Sequence, residues 1–173
     1  MLTLYLAGAI RDAHPEDIAW REYLIGKVQH KHALDTRILN PVGDKTRNVA
    51  TGEWKMGGIF AGAHDIVSQD LWCVRQADII IANFSSFVDN YPSIGTVMEV
   101  GAAAGMGGKL IYSILDQNKT FGMENKTNFK LHPFLTEVSS SIFDSVDAFT
   151  DFFMQHLDML TGQNPRFGGI VNG

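Results

Sequence analysis

A single cysteine, Cys73, is all that the sequence offers to thiol chemistry. An internal disulfide and a cysteine zinc cluster are both excluded, so packing must hold the fold. No apolar run approaches the roughly 20 residues that a bilayer span needs; one of the longest is Ile79–Ala82. A basic block is also missing, with fourteen Lys and Arg against nineteen Asp and Glu and a formal charge of -5. A polyanion calls for clustered positive charge, so no nucleic-acid partner is expected. The chain opens on Leu2-Thr3-Leu4-Tyr5-Leu6 with no charged leader. That reads as no signal peptide, no membrane partner and a reduced, cytoplasmic compartment. Internal repeats and low-complexity tracts are absent as well.

What remains is the composition of a soluble core. Hydrophobic residues make up 45% of the 173 and charged residues 19%, a size that suits one domain better than two. We expect a single domain over residues 1–162 and a polar, Gly-rich tail over 163–173.

Strand and helix patterns alternate along the chain. Leu2–Leu6 reads as a strand stopping at Ala7-Gly8, and Glu16–His30 as a helix with Ile18, Leu24, Ile25 and Val28 at helical spacing. Thr36–Leu39 reads as a second strand and Val42–Gly62 as a long loop of the kind often used for binding. Asp65–Gln76 is a helix, and Asp78–Ala82 a strand buried on both faces. A loop over Phe84–Pro92 leads to a helix over Ser93–Met106 that is rich in small residues. Lys109–Leu115 is another buried strand, Asp116–His132 another loop, and Val138–Phe143 a last strand. Val146, Phe149, Phe153, Leu157 and Leu160 then line one face of a final helix.

Alternating β and α with buried strands predicts an α/β fold, a flavodoxin-like or Rossmann-like three-layer sandwich with a five-stranded parallel sheet. Ligands of such sheets sit beyond the carboxyl ends of the strands. The expected site is therefore built from Gly8–Asp12, Val42–Gly62, Phe84–Ser93 and Asp116–His132.

The densest chemistry lies in Pro92-Ser93-Ile94-Gly95-Thr96-Val97-Met98-Glu99. It follows a buried strand and opens a helix, whose free N–H groups and positive end favour an anion. Ser93 suits the N-cap, Gly95 allows close approach, and Glu99 is a lone charge among Val, Met, Gly and Ala. Such a charge is costly without a purpose; an exposed Glu on the outer helix face is the competing reading. Arg11, after the strand end at Gly8, could clamp a phosphate or carboxylate, or be a solvated loop residue. Tyr5 on a central strand belongs in the core, where its phenol would need a partner such as a carboxylate. Asp70 could act chemically or, near its helix start, merely favour the dipole. Asp78, at the end of the same helix, reads as setting up the turn into the strand. Cys73 reads as packed in that helix. His30-Lys31-His32 has no third ligand spaced nearby, so no metal is expected. Gly8 has no glycine cluster after it, so the dinucleotide fingerprint is missing and no cofactor is expected.

Taken together, Tyr5-Leu6-Ala7-Gly8-Ala9-Ile10-Arg11, Asp70-Leu71, Gln76–Ala82, Pro92-Ser93-Ile94-Gly95 and Glu99-Val100-Gly101-x-Ala103 resemble the nucleoside 2-deoxyribosyltransferase superfamily, in order from about Leu2 to Leu115. The resemblance implies N-glycosidic bond cleavage, with Glu99 as nucleophile, Tyr5 orienting it and Asp70 handling the base or its proton. Pro-Ser-x-Gly before the glutamate is similar to the 2'-deoxynucleoside 5'-monophosphate N-hydrolase branch, in which Ser93 and Arg11 would grip the 5'-phosphate. Members acting on free nucleosides tend to carry an aspartate where Ser93 stands. Gly8, Ile10, Gly95 and Asn128 complete the implied binding set. The segment with Asn125, Asn128 and His132 matches a region that completes a neighbouring subunit's site, which implies a homodimer or higher homo-oligomer. Two features depart from that branch: Phe84–Pro92 is longer, with Asp89 available to grip a free hydroxyl, and Trp20-Arg21 is similar to a different branch.

Three functions therefore compete. The first is cleavage of deoxynucleotides, by hydrolysis or transfer, or base exchange on free deoxynucleosides. The second is a nucleotide-sensing module without chemistry, and the third is another glycosidic-bond enzyme acting on NAD or a ribonucleotide.

Overall fold

The computed structural model describes residues 1–10, 15–42, 45–47, 54–56, 59–85, 87–88, 91–116 and 131–162, with 45–47, 54–56, 59–61, 87–88 and 91–92 described by their backbone pairing alone. Five strands form one all-parallel sheet: β1 (Leu2–Gly8), β2 (Thr36–Leu39), β6 (Ile79–Asn83), β9 (Leu110–Ile114) and β10 (Ser141–Phe143), in the order β10-β9-β6-β1-β2. Counting only these five, the order is 2-1-3-4-5, the flavodoxin-like winding expected from the sequence.

Alternation along each strand builds two cores. Tyr5, Ala7, Ile80, Ala82 and Ile111 face one side, where α2 (Ala63–Gln76), α3 (Ile94–Met106) and α4 (Pro133–Val138) contribute Val74, Val100, Ala103 and Leu135. Leu4, Leu6, Ile79, Ile81 and Ile114 face the other. There α1 (Glu16–His32) and α5 (Val146–Leu160) bring Trp20, Leu24, Val28, Phe149, Phe153 and Leu157. Phe149 and Phe153 stack at 5.1 Å between ring centroids. On the α2/α3 side many of the core residues are alanines, which lets the helices approach the sheet closely.

Several elements differ from their sequence-based outlines. β1 runs two residues further, to Gly8, because its ladder with β6 continues through the small residues Ala7 and Gly8, beyond the end of its ladder with β2 at Tyr5. Val42–Gly62 is not simply a loop: it holds β3 (Lys45–Arg47), β4 (Trp54–Met56) and β5 (Ile59–Ala61), joined as a separate antiparallel sheet. Three-residue strands are too short to show a period, and their ladder is what defines them. Phe84–Pro92 likewise holds the small antiparallel pair β7 (Phe87–Val88) and β8 (Tyr91–Pro92). The last strand is shorter than expected, because Val138 ends α4, where His132 caps the helix by accepting from Phe134 N.

α2 ends at Gln76, so Ala77 and Asp78 lie beyond it. Asp78 ties β6 to β1, accepting from Thr3 N at 2.7 Å and donating its own N–H to Thr3 O at 2.8 Å. Cys73 is partly buried against the core. His32 is buried beside α5, with Nε2 3.1 Å from Asp158 Oδ1, a carboxylate that also pairs with Lys31. Among the described residues no helix is long and apolar enough to cross a membrane.

Candidate active site

The winding reverses between β1 and β6, and at their carboxyl ends Gly8 and Asn83 are register partners. Beyond that edge lies a cavity of about 210 Å³, lined by Gly8, Ile10, Ile66, Asp70, Ser93, Gly95, Thr96 and Glu99. The polar ends of β6 and β9 are tied together beside it. Asn83 Oδ1 accepts from Ser85 N, and Ser85 Oγ accepts from Asp116 N.

Each side chain reaches the cavity by the periodicity of its element. β1 turns Tyr5 toward α2 and α3, where the phenol is wholly buried and donates to Glu99 Oε1 at 2.6 Å. On α3, Thr96, Val100 and Ala103 are buried, and Glu99 lies one turn beyond Thr96 on the same inward side. On α2, Ile66, Asp70 and Val74 follow at four-residue steps, with Val74 in the core and the other two at the cavity. Asp70 therefore stands in the middle of its helix, not near its start, so the dipole reading does not apply to it.

Electrostatics keeps the phenol in its donor form. Burial raises the Tyr5 pKa far above the ordinary tyrosine value; the charges of Glu99 and Asp70 and the hydrogen bond to Glu99 push the same way. A neutral Tyr5 then donates to the carboxylate at every physiological pH.

The cavity mouth includes the first turn of α3. Ser93 occupies the N-cap position, yet its side chain makes no capping hydrogen bond, which corrects the capping role expected for it. Its hydroxyl is thus left at the cavity. The Thr96 hydroxyl is buried and has no hydrogen-bond partner among the described residues. Buried hydroxyls are ordinarily satisfied, and the place of this one in the cavity wall suits contact with a bound molecule.

Of the residues singled out in the sequence, Tyr5, Gly8, Ile10, Asp70, Ser93, Gly95 and Glu99 come together here. Arg11 and Asn128, with Asp12, Asp89, Asn125 and the tail over 163–173, lie outside the described residues.

Sequence reasoning missed the role of Arg21. Its side chain is wholly buried and donates to the main-chain oxygens of Leu6 (3.3 Å), Gly8 (2.8 Å), Ala9 (3.1 Å) and Asp17. The guanidinium also sits 4.7 Å from the Trp20 ring. Burial draws its pKa down to about 10, against the pull of Glu99, Tyr5, Asp17 and Asp70, which favour the charged form. It therefore stays charged at neutral pH. A signal was present: Arg21 keeps step with Asp17, Leu24 and Val28 on the buried stripe of α1.

Known proteins share this architecture. The family model described as nucleoside 2-deoxyribosyltransferase matches residues 4–133. Among solved structures, a 2-deoxyribosyltransferase from Leishmania mexicana superposes with a TM-score of 0.60 at 26% identity, over 90% of this chain and 99% of that one. A CMP N-glycosidase from Clostridium botulinum, BcmB, superposes with a TM-score of 0.53 at 20% identity, over 91% and 98%, a likeness of fold alone. No curated protein matches the sequence.

Proposed function

The chain belongs to the nucleoside 2-deoxyribosyltransferase family, and from that premise we propose that it cleaves the N-glycosidic bond of a 2'-deoxynucleoside 5'-monophosphate through Glu99. It is an enzyme of the N-glycosidase and deoxyribosyltransferase type.

The observation that carries the reading is the Tyr5–Glu99 hydrogen bond at the wall of the cavity. Departure of a base builds positive charge on the anomeric carbon, and a carboxylate fixed below the sugar can attack it there. Tyr5 holds Glu99 by one oxygen, and the carboxylate bonds the anomeric carbon as the C–N bond breaks. The bonding electrons leave with the base, and Asp70 on α2, which lines the same cavity, is the proposed donor of its proton. Water or a second base then attacks the glycosyl ester and frees Glu99. Ser93 and the first N–H groups of α3 suit a 5'-phosphate, and Arg11 would add a charge-assisted pair.

Base exchange on free deoxynucleosides is a second reading, supported by the name of the Leishmania mexicana protein. Assembly into a homodimer or higher homo-oligomer belongs to the same proposal. Its support is the apolar surface of the adjacent helices α2 and α3, where Val67, Trp72, Ile94 and Met98 are exposed. The lone cysteine supports a reduced, cytoplasmic setting.

The test is incubation with deoxynucleosides, their 5'-monophosphates and NAD, followed by chromatography for free base. Release from a deoxynucleoside monophosphate is the expected result. No release from any deoxyribosyl compound would sink the reading.

A further inference from the structure

We propose that Arg21 is a positioning residue of this site: its guanidinium fixes the Gly8–Ile10 rim through main-chain oxygens and places a buried positive charge within electrostatic reach of Glu99. The inference rests on the proposed role of Glu99, and it adds a residue that touches no substrate.

The geometry comes first. The ladder of β1 with β6 ends at Gly8. Arg21 reaches that end from α1, bonding Leu6 O within the strand, Gly8 O at its end and Ala9 O beyond it. Two of these three oxygens belong to the rim, and Gly8 and Ile10 line the cavity. A planar fork of five donors can hold several carbonyls at fixed angles, which a lysine cannot. The position is filled: a Cβ on Gly8 would stand 2.9 Å from Arg21 Nη2 and 3.1 Å from the Trp20 ring. Glycine at position 8 and arginine at position 21 therefore fit each other.

The charge comes second. The oxygens of Leu6, Gly8, Ala9 and Asp17 that Arg21 bonds are neutral main-chain carbonyls. The ionisable groups around it are Glu99 on α3, Tyr5 on β1, Asp17 on its own helix and Asp70 on α2, and Glu99 acts on it most strongly. A buried cation favours the ionised form of a nearby carboxylate. Burial and the neighbouring Asp70 act on Glu99 in the opposite sense.

Two measurements that need no turnover test this. One is hydrogen exchange of the amides at residues 7–10. The other is the titration midpoint of the Glu99 side-chain carboxyl by carbon NMR, its signal assigned by loss in Glu99→Gln. In Arg21→Lys the exchange should quicken by about tenfold or more, while the Glu99 midpoint stays near that of the wild type. In Arg21→Gln exchange should quicken equally, and the midpoint should rise by about one unit. Should the arginine variants fail to fold, Gly8→Ala keeps the arginine's charge but crowds its Nη2, so exchange should quicken while the midpoint stays near that of the wild type. Wild-type exchange together with an unmoved midpoint, in whichever of these variants folds, would overturn the proposal. A wild-type protein that releases no base from any deoxyribosyl compound defeats the proposed reaction instead, and leaves both readouts measurable.

Discussion

Tyr5 and Glu99, 94 residues apart in the chain, are joined by a 2.6 Å hydrogen bond from phenol to carboxylate. One comes from β1, next to the middle strand of the sheet, and the other from the second turn of α3, so the bond ties the sheet to its covering helix. It fixes one carboxylate oxygen at the wall of the cavity.

Replacing Glu99 by Gln keeps the shape and the hydrogen bond from Tyr5 but removes the proposed nucleophile. Base release should fall on the order of a thousandfold or more, with an unchanged melting curve. Tyr5→Phe should cost far less. A hydrogen bond to a charged group contributes about 1.5–3 kcal/mol, so roughly tenfold to a hundredfold in rate. Near-normal turnover in a folded Glu99→Gln would remove the carboxylate from that role.

A 5'-phosphate site at Ser93 and the start of α3 predicts a large preference for nucleotide over nucleoside in kcat/KM. That preference should shrink by about tenfold in Ser93→Ala, since a hydrogen bond to a charged group is lost, and should shrink in Arg11→Ala as well. Equal or better use of free deoxynucleosides by the wild type returns the enzyme to base exchange.

Thr96→Val removes a buried hydroxyl that has no partner among the described residues. Such a group weakens the empty fold by about 1–3 kcal/mol, so the variant should melt no lower than the wild type. Its KM should rise by about tenfold if a bound substrate meets that hydroxyl. A lower melting temperature with unchanged KM would show that the hydroxyl serves the fold and not the substrate.

The alkaline side of the stability profile should carry the mark of Tyr5. Its folded pKa lies far above the ordinary 10.0, so above pH 10 the unfolded chain loses a proton that the folded chain keeps. Stability from this source is complete below pH 10 and falls as pH rises, by up to about 1.4 kcal/mol per unit. Arg21 works the other way between about 10 and 12.5, because its folded pKa is the lower one. Tyr112, also raised by burial, adds to the fall. The clean readout is the difference between wild type and Tyr5→Phe in urea unfolding, which should shrink steadily from pH 10 to 11. A pH-independent difference would contradict the buried, protonated phenol.

The parallel sheet was legible because its central strands announce themselves. Ile79–Asn83 is buried throughout, as is Leu110–Ile114 after its first residue. A short, continuous apolar run between polar segments fits a strand covered on both faces. Thr36–Leu39 matches its expected bounds. The edges of the fold were harder. β3, β4 and β5 are three residues each, and their pairing depends on partners that no local window contains. The cavity gathers residues whose types were odd for their places, such as a lone glutamate in an alanine-rich helix and a tyrosine on a central strand. Arg21 escaped because an arginine on an amphipathic helix ordinarily faces water. Only its phase with Asp17, Leu24 and Val28 marks it as turned inward, and what it turns toward is main chain that composition cannot reveal.

A ribosome makes β1 long before it makes β6. Until Ile79–Asn83 emerges, β1 has an edge open, and such an edge pairs readily with other chains. α3 follows β6, so Glu99 reaches Tyr5 only after the centre of the sheet has closed. A chain that ends before β6 therefore keeps that edge open, and one that ends before α3 lacks Glu99. The same central strand that secures the finished enzyme makes its early life dependent on shelter from its neighbours.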